Sequence, residues 1–286
     1  MAAFLQALIN GLVSGTLLAV PAIGFTAMFA VLRFPNFSVS GVATLGAFAG
    51  YIAYGVTGSL VPAIAAAFVL AGAVGLFFDK AAHLPLVKQG ALPAAIASIA
   101  SGLVLENVVR LGFGNDFRGF DRPIARDLHI GAIRASPQQL ETMAMALGIM
   151  LLVFAALGFT RIGKAMRASA DNPELAALKG IRPERVAAMA SFVGMGLVGI
   201  GGMLLGLDSS IDPLTGARIL LSIFAAAVLG GLGSAPGAVL GAFLIGVAEE
   251  LSVLVVGSPY RTAVGFCAIL IVLSLRPRGL LGERAF

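Results

Sequence analysis

Gly163-Lys-Ala-Met-Arg-Ala-Ser-Ala-Asp-Asn-Pro-Glu-Leu-Ala-Ala-Leu-Lys-Gly-Ile-Arg-Pro-Glu-Arg185 is a polar stretch set between two apolar runs, 141–159 and 186–206. The stretch is too polar to cross a bilayer, and each flanking run has the length to cross one, because about 20 helical residues span ~30 Å of hydrocarbon. Residues 164–170 contain helix formers and no breaker. Asp171 or Asn172 can cap a second helix, with Pro173 at its first position and Glu174 in its electropositive first turn. Leu175, Ala176 and Leu178 give that helix a small apolar face, and Gly180 is placed to end it. The reading is two short helices on one side of a membrane, between two spans.

Composition extends this reading to the whole chain. Of 286 residues, 59% are hydrophobic and 12% charged, with a mean hydropathy of +1.00. Soluble domains average about 25% charged residues. Half that density cannot cover a globule in water, so lipid must solvate much of the surface. The apolar segments run to helical rather than β-barrel length, without the polar–apolar alternation of barrel strands. The expected fold class is all-α, a polytopic transmembrane helix bundle forming a single domain over 1–286. Candidate spans are 7–32, 37–57, 60–78, 92–112, 141–159, 186–206, 219–233, 236–256 and 260–275. The run 219–233 is short and ends in Gly230-Gly231-Leu232-Gly233-Ser234-Ala235-Pro236-Gly237, which suits a re-entrant or half helix. The count is therefore eight or nine.

Charge sets the orientation. The chain carries +5 and has a pI of about 9.9, which the positive-inside rule explains better than nucleic acid as a partner. The loop 160–185 holds Arg161, Lys164, Arg167, Lys179, Arg182 and Arg185 against Asp171, Glu174 and Glu184. The tail carries Arg276, Arg278 and Arg284. Both should be cytoplasmic. Nine crossings, or an odd equivalent, then put the N-terminus outside, where no basic residue precedes Arg33. That uncharged start reads as a retained helix rather than a signal peptide. The loop 113–140 faces outward, with both signs of charge. One cysteine, Cys267, excludes an intrachain disulfide.

Several motifs point nowhere. Gly158 to Ala165 approaches a P-loop, but Ala165 stands where Ser or Thr would hold Mg²⁺, and a membrane span precedes it instead of a strand. Gly194-Met-Gly196-Leu-Val-Gly199 lies inside an apolar span and reads as helix packing. Neither His83 nor His129 has a metal-ligand partner at useful spacing. Small residues four apart do recur, at Gly11/Gly15, Gly46/Gly50, Gly202/Gly206 and Gly237/Gly241. Such pairs let helix backbones approach closely in lipid.

A rigid helix at 173–180 with charged flanks suits docking into a partner's groove. The alternative is a helix lying on anionic headgroups. The segment resembles the cytoplasmic coupling loop of ABC importer permeases, and specifically the branched-chain amino-acid permease family of the LivH type, whose loop reads much like G-x-A-x-R-A-x-x-x-x-x-x-A-x-x-x-G-I. Asn10-Gly11-Leu12-Val13-Ser14-Gly15 and Leu32-Arg33-Phe34-Pro35-Asn36-Phe37 resemble the family's N-G-L-x-x-G and V-x-N-F signatures. Ala226 to Ser234 and Arg276 to Gly282 resemble its G-G-x-G-S and R-P-x-G-L-x-G ends. Several such blocks in order are specific, where any one alone is weak. There is one departure. After Asn36-Phe37 the family usually has Ala-His-Gly and then an acidic or polar residue, whereas this chain has Ser38-Val39-Ser40-Gly41. If that stretch lines the pathway, the solute would differ from leucine, isoleucine and valine.

The resemblance implies a permease subunit of an ATP-driven importer in the cytoplasmic (inner) membrane of a bacterium. It implies a second permease subunit, paralogue or identical copy, an extracytoplasmic solute-binding protein and two cytoplasmic ATPase subunits. Those ATPases, and not this chain, would bind ATP and Mg. It assigns ATPase coupling to Gly163, Lys164, Arg167, Asp171, Asn172, Pro173, Glu174, Ala176, Ala177, Gly180 and Ile181. Relatives of the family carry other amino acids, urea or short amides. A secondary transporter or channel is the alternative from another class, but it should show a buried ion-coupling cluster or pore ring. Charges inside a membrane usually face protein or water, so Glu106, Asn107 and Glu249 are candidate pathway residues, with Ser38 and Ser40 from the departing stretch. Glu106 and Arg110 could instead pair with each other, four residues apart. Asn10 and Asn36 could line the path or bond helix to helix.

Overall fold

The computed structural model describes residues 2–122, 128–130, 133–276 and 279–282. Helices dominate it. α1 (Ala2–Leu32), α2 (Val39–Thr57) and α3 (Leu60–Phe78) open the chain; α3 runs through a π-helical turn (Asp79–His83) into α4 (Leu84–Val87). Then come α5 (Ala91–Phe113), a two-stranded antiparallel hairpin of β1 (Leu128–Ile130) and β2 (Ile133–Ala135), and α6 (Pro137–Phe159). α7 (Arg161–Asp171) and α8 (Pro173–Leu178) precede α9 (Pro183–Asp208), α10 (Thr215–Gly230), α11 (Ala235–Val256) and α12 (Arg261–Leu275). The hairpin falls in the expected outward loop, where no strand was anticipated. Gln6 on α1 holds β2 by accepting from the Arg134 N–H (2.9 Å) and donating to its carbonyl (2.8 Å).

Among the described residues, seven helices are long and apolar enough to cross a membrane. They include Leu60–Val87, a single 28-residue span through the π turn. α10 and α12 are apolar but shorter, with 16 and 15 residues. At 1.5 Å per residue each is about 24 Å long, less than the ~30 Å of a hydrocarbon core. The expected spans at 219–233 and 260–275 are these two short helices.

α1 and α9 are the most enclosed helices, and small residues explain how so many helices reach them. A methyl on Gly11 would stand 2.6 Å from Val247 Cα, and one on Gly15 would stand 2.9 Å from Phe243 Cα, both on α11. Gly46 abuts the Gly199 backbone, Gly202 the Ala43 backbone, Gly237 that of Gly230 and Gly241 that of Ala226. Gly50 meets Met203, and Gly206 meets Ile211. Seven of these eight glycines therefore sit at helix contacts, as the pairs suggest, and Gly206 meets the connection after α9 instead. Pro21, inside α1, packs its ring where Gly201 leaves room on α9. The core around these contacts holds Leu17, Ile23, Phe25, Met28, Met195, Met203 and Leu204, all buried.

Two connections turn back into the bundle. Arg33 ends α1 in a left-handed conformation (φ 60°), the only such non-glycine among the described residues. Phe34 and Asn36 are then fully buried before α2 starts. At the other end of the fold, residues 209–214 lead from α9 to α10, and Gly216 at the head of α10 donates its N–H to Thr44 Oγ1 (2.9 Å). α10 thus begins beside the first turns of α2. Gly41 there abuts Gly102, the middle residue of α5. The segment that leads into α10 is also tied to the outward loop, because Ile211 and Arg118 exchange backbone hydrogen bonds (both 2.8 Å).

Candidate functional site

The α7–α8 loop is built from local signals. Thr160 caps α7 by accepting the Gly163 N–H (3.1 Å), and Gly163 has no side chain because a Cβ would strike the Leu157 carbonyl. The α6–α7 joint is therefore tight. Arg167 strengthens it by donating to the Leu157 and Gly158 carbonyls, satisfying acceptors at the end of α6. Met166 packs with Val186 and Ala190, and Ile181 leans on the same cluster. Asn172, rather than Asp171, caps α8, accepting the Leu175 N–H (2.9 Å), with Pro173 at the first position. The helix ends at Leu178, and Gly180 is left-handed (φ 84°). Ala176 is buried against the chain, so it is absent from the outward face. That face presents Glu174, Leu175 (54% exposed), Ala177 and Leu178 (84% exposed), while Lys164 and Asp171 are exposed on α7.

A cavity of about 910 Å³ lies behind this loop, lined by the end of α1, by α7, and by the 232–236 turn. Arg33 crosses its edge and donates to the Ala170 carbonyl on α7. The C-terminal segment meets the same end of the molecule: the Leu280 and Leu281 N–H groups donate to the Leu229 and Gly230 carbonyls (2.8 and 2.9 Å). The basic loop, Arg33 and the described part of the tail thus share one end.

The turn after Arg33 leads to a buried polar cluster. Asn36 Nδ2 donates to Asp79 Oδ1 (2.8 Å), and Asn36 Oδ1 accepts from both the Ser38 N–H (3.0 Å) and Oγ (2.7 Å). His83 Nδ1 lies 2.6 Å from Asp79 Oδ1, and its Nε2 lies 3.0 Å from Ser101 Oγ. Asn36, Ser38, Asp79 and His83 are all fully buried. The π turn puts Asp79 and His83 on this face, as single π turns inside helices can do. Asn36 therefore bonds the α1–α2 turn to the π turn after α3. Sequence reading missed Asp79, His83 and Ser101; the signal was Asp79 and His83 four apart, with Lys80 beside them, between apolar runs.

The other candidates separate. Arg110 donates to Glu106 Oε1 (2.9 Å), so these two pair with each other. Asn107 is exposed and bonds its own helix at the Leu103 carbonyl (2.8 Å). Asn10 accepts from Gln6 (3.0 Å) near the hairpin end. Ser40 donates to the Phe37 carbonyl (3.2 Å). Glu249 is buried and accepts from Ser222 Oγ on α10 (2.6 Å). Arg261, at the head of α12, lies 3.5 Å from Glu249 and 2.8 Å from Glu250. Among the described residues, no group of His, Cys, Asp and Glu is placed to hold a metal ion.

Residues 7–275 match the family described as "Branched-chain amino acid transport system / permease component". The chain belongs to that permease family. The LivH permease protein of the high-affinity branched-chain amino acid transport system of Escherichia coli K12 is 30% identical over 98% of this chain and 96% of its own length. The BraD permease protein of Pseudomonas aeruginosa is likewise 30% identical over 98% and 96%. A solved structure, PsaBC from Streptococcus pneumoniae in complex with Fab, has a similar chain at a TM-score of 0.49 and 18% identity, covering 96% of this chain and 92% of that one. The chain is thus a multi-pass permease of the inner membrane. Within the departing stretch, Ser38 and Val39 are fully buried, and Gly41 is packed on Gly102. The neighbouring Phe37 is the residue that reaches a cavity.

Proposed function

We propose that this permease is one membrane-spanning subunit of an ATP-driven ABC importer for branched-chain or related amino acids, with 1–286 as one domain. Two such subunits, identical or paralogous, enclose the pathway. Two cytoplasmic ATPases bind ATP and Mg and dock on the α7–α8 loop, and an external solute-binding protein delivers the solute. The seven long helices, together with α10 and α12 as short crossings, make nine. The loop and the tail then face the cytoplasm.

One observation carries this reading beyond family membership: α8 stands out from the basic end with Leu175 and Leu178 exposed, on a base locked by Thr160, Gly163 and Arg167. An apolar helix on a rigid base can transmit a push, and Arg33 joins α7 directly to the turn that leads into the Asn36 cluster. Closure of the ATPases would then move α7, α1 and that turn as a unit, shifting the bundle between two access states.

The test is Ala177→Asp in the purified complex in lipid. An unpaired carboxylate enclosed at the docking face should cost about 3–5 kcal/mol. Membrane insertion should be normal, while solute-stimulated ATP hydrolysis and copurification of the ATPase should be lost. Full coupled transport by this variant would make α8 a headgroup-bound helix instead. A cysteine at the exposed Lys179 should react with impermeant reagents only from the inside. Ser169 is unsuited to that purpose because it is buried.

A further inference from the structure

A cleft of about 350 Å³ opens between α10 and α12, with the Phe37 ring and the Phe224 ring on its walls, 5.7 Å apart between centroids. Ala217, Leu220, Leu221 and Phe266 add apolar lining, with Thr262 among them. At one end stands a single cation, Arg218, whose side chain is 52% exposed. Arg218 pairs with Asp212 and sits 5.7 Å from the Phe117 ring centroid. Asp212 is fixed from its other side: its N–H donates to Thr215 Oγ1 (2.8 Å), and its Oδ1 accepts from the same hydroxyl (2.8 Å). Its Oδ2 is the oxygen facing Arg218.

The position of this pair matters. Arg218 lies in the first turn of α10, toward the outward side: its guanidinium faces Phe117, the preceding Ile211 pairs its backbone with Arg118, and Thr262 at the head of α12 lines the same cleft. A half-exposed guanidinium there is costly against lipid, so its face meets water or protein. On the reading of two permease subunits around a shared pathway, the site requires the α10–α12 face to line that pathway. An arginine and an aspartate side by side are complementary to a zwitterion: the planar guanidinium takes a carboxylate and the fixed carboxylate takes an ammonium. The apolar cleft beside them has the size of a small-molecule pocket and suits an aliphatic side chain.

We propose that Arg218 and Asp212 form a head-group site for an α-amino acid in transit, and that Phe37, Leu221, Phe224 and Phe266 select its apolar side chain. The assignment rests on the permease reading above. It favours zwitterionic solutes over urea and short amides, which offer no carboxylate. It gives the altered stretch Ser38–Gly41 no direct contact with the cleft, which is reached by the preceding Phe37, while Ser38 and Val39 are buried in the chain.

The experiment uses the assembled transporter in lipid nanodiscs, without the solute-binding protein, and radiolabelled L-leucine as probe. Competitors are L-leucinamide, which lacks the carboxylate, and 4-methylpentanoate, which lacks the ammonium. Each should compete at least about tenfold more weakly than L-leucine, the scale of one or two charge-assisted hydrogen bonds. Arg218→Gln should erase the preference over the amide, and Arg218→Lys should restore part of it. A merely structural arginine would change total binding and leave that ratio alone. Leu221→Phe, which leaves the charges in place, should shift preference from leucine toward alanine, and it serves if Arg218→Gln does not assemble. An unchanged leucine-to-leucinamide ratio in Arg218→Gln, an unchanged leucine-to-alanine preference in Leu221→Phe, or no binding to the native complex overturns the site. If ATP-driven uptake into proteoliposomes supplied with the solute-binding protein persists without such binding, the permease reading stands and only the site fails. If uptake is absent in those proteoliposomes, that reading fails first.

Discussion

In the α7–α8 loop, Leu175 and Leu178 lie in the open while the polar side chains nearby serve as caps and clasps. Around Asn36 the pattern is inverted: every polar side chain is enclosed, and Asn36, Asp79, His83 and Ser101 satisfy one another across three segments of chain. The loop offers its apolar atoms to something outside the chain. The cluster spends its hydrogen bonds inside it, and Asp79 Oδ2 alone in that group has no partner among the described residues. Arg33 connects the two. The contrast suggests a division of labour, with a stiff internal hinge region and an external contact element mounted on it. It also predicts that substitutions will sort by region, with loss of fold in one and loss of coupling in the other.

The largest effect should come from Asp79→Ala. Asn36 Nδ2 and His83 Nδ1 would lose their short bonds to Asp79 in a dry interior and keep only a 3.4 Å contact with each other. At about 1–3 kcal/mol for each hydrogen bond lost, the cost is roughly 2–6 kcal/mol, a large part of the stability of an ordinary domain. The expected outcome is little folded protein on extraction and a sharply lowered melting temperature. A variant that melts like the parent would mean that the cluster is not what fixes the turn after α1.

Next should come the pair Ala176→Asp and Ala177→Asp. Ala176 is buried and Ala177 exposed, one residue apart on the same short helix. The first change should unseat α8 and accelerate proteolysis of the loop. The second should leave the isolated subunit's melting and proteolysis unchanged and act only when the ATPase is present. Equal behaviour of the two would break the distinction between an inner and an outer face of α8.

Gly180→Val should be milder. Nothing lies within reach of an added Cβ, so the cost is conformational. A left-handed φ of 84° strains a residue with a Cβ by about 1–2 kcal/mol, and more for a β-branched one. The chain should fold and insert normally, with uptake lowered severalfold at constant ATPase copurification. Loss of copurification would place Gly180 in the docking contact itself.

What was legible in the sequence follows the same division. Caps, a proline at a first turn and a glycine at a helix end are signals within about four residues. They placed α7 and α8 and offered Asp171 or Asn172 as the cap, which is Asn172; they did not show that α7 begins at Arg161, that α8 ends at Leu178 or that Ala176 faces inward. Glycine pairs announced close helix contacts without naming partners; Gly46 against Gly199 is a fact of packing. The Asn36 cluster and the Arg218–Asp212 pair were illegible for a related reason. Their members lie on separate segments or in a turn whose depth is set by the bundle, and no local period marks that depth. Glu106 drew attention because an acid in an apolar run stands out, yet its partner was four residues away on the same helix.

The smallest effect, and the sharpest probe of the loop as a mounted element, is Asn172→Ala. Its side chain accepts one N–H, that of Leu175, at 2.9 Å. Removing an N-cap costs about 0.5–2 kcal/mol. In a long helix this would be absorbed, but α8 has six residues and buries only Ala176. No reserve of packing offsets the loss, so local opening should rise while the bundle, which α8 barely supports, stays intact. Amide hydrogen exchange at Ala176 and Lys179, whose N–H groups bond back to the Asn172 and Leu175 carbonyls, should speed up by about 5–30-fold, the factor equivalent to 1–2 kcal/mol. The melting temperature should stay within error, and Asn172→Asp should recover the parent rate, because aspartate caps as well as asparagine. Coupled ATP hydrolysis should fall in proportion to the open fraction and recover in Asn172→Asp. If exchange accelerates while coupling is untouched, α8 need not be helical to transmit the push. The contact element would then be the exposed face of α7, where Lys164 and Asp171 lie.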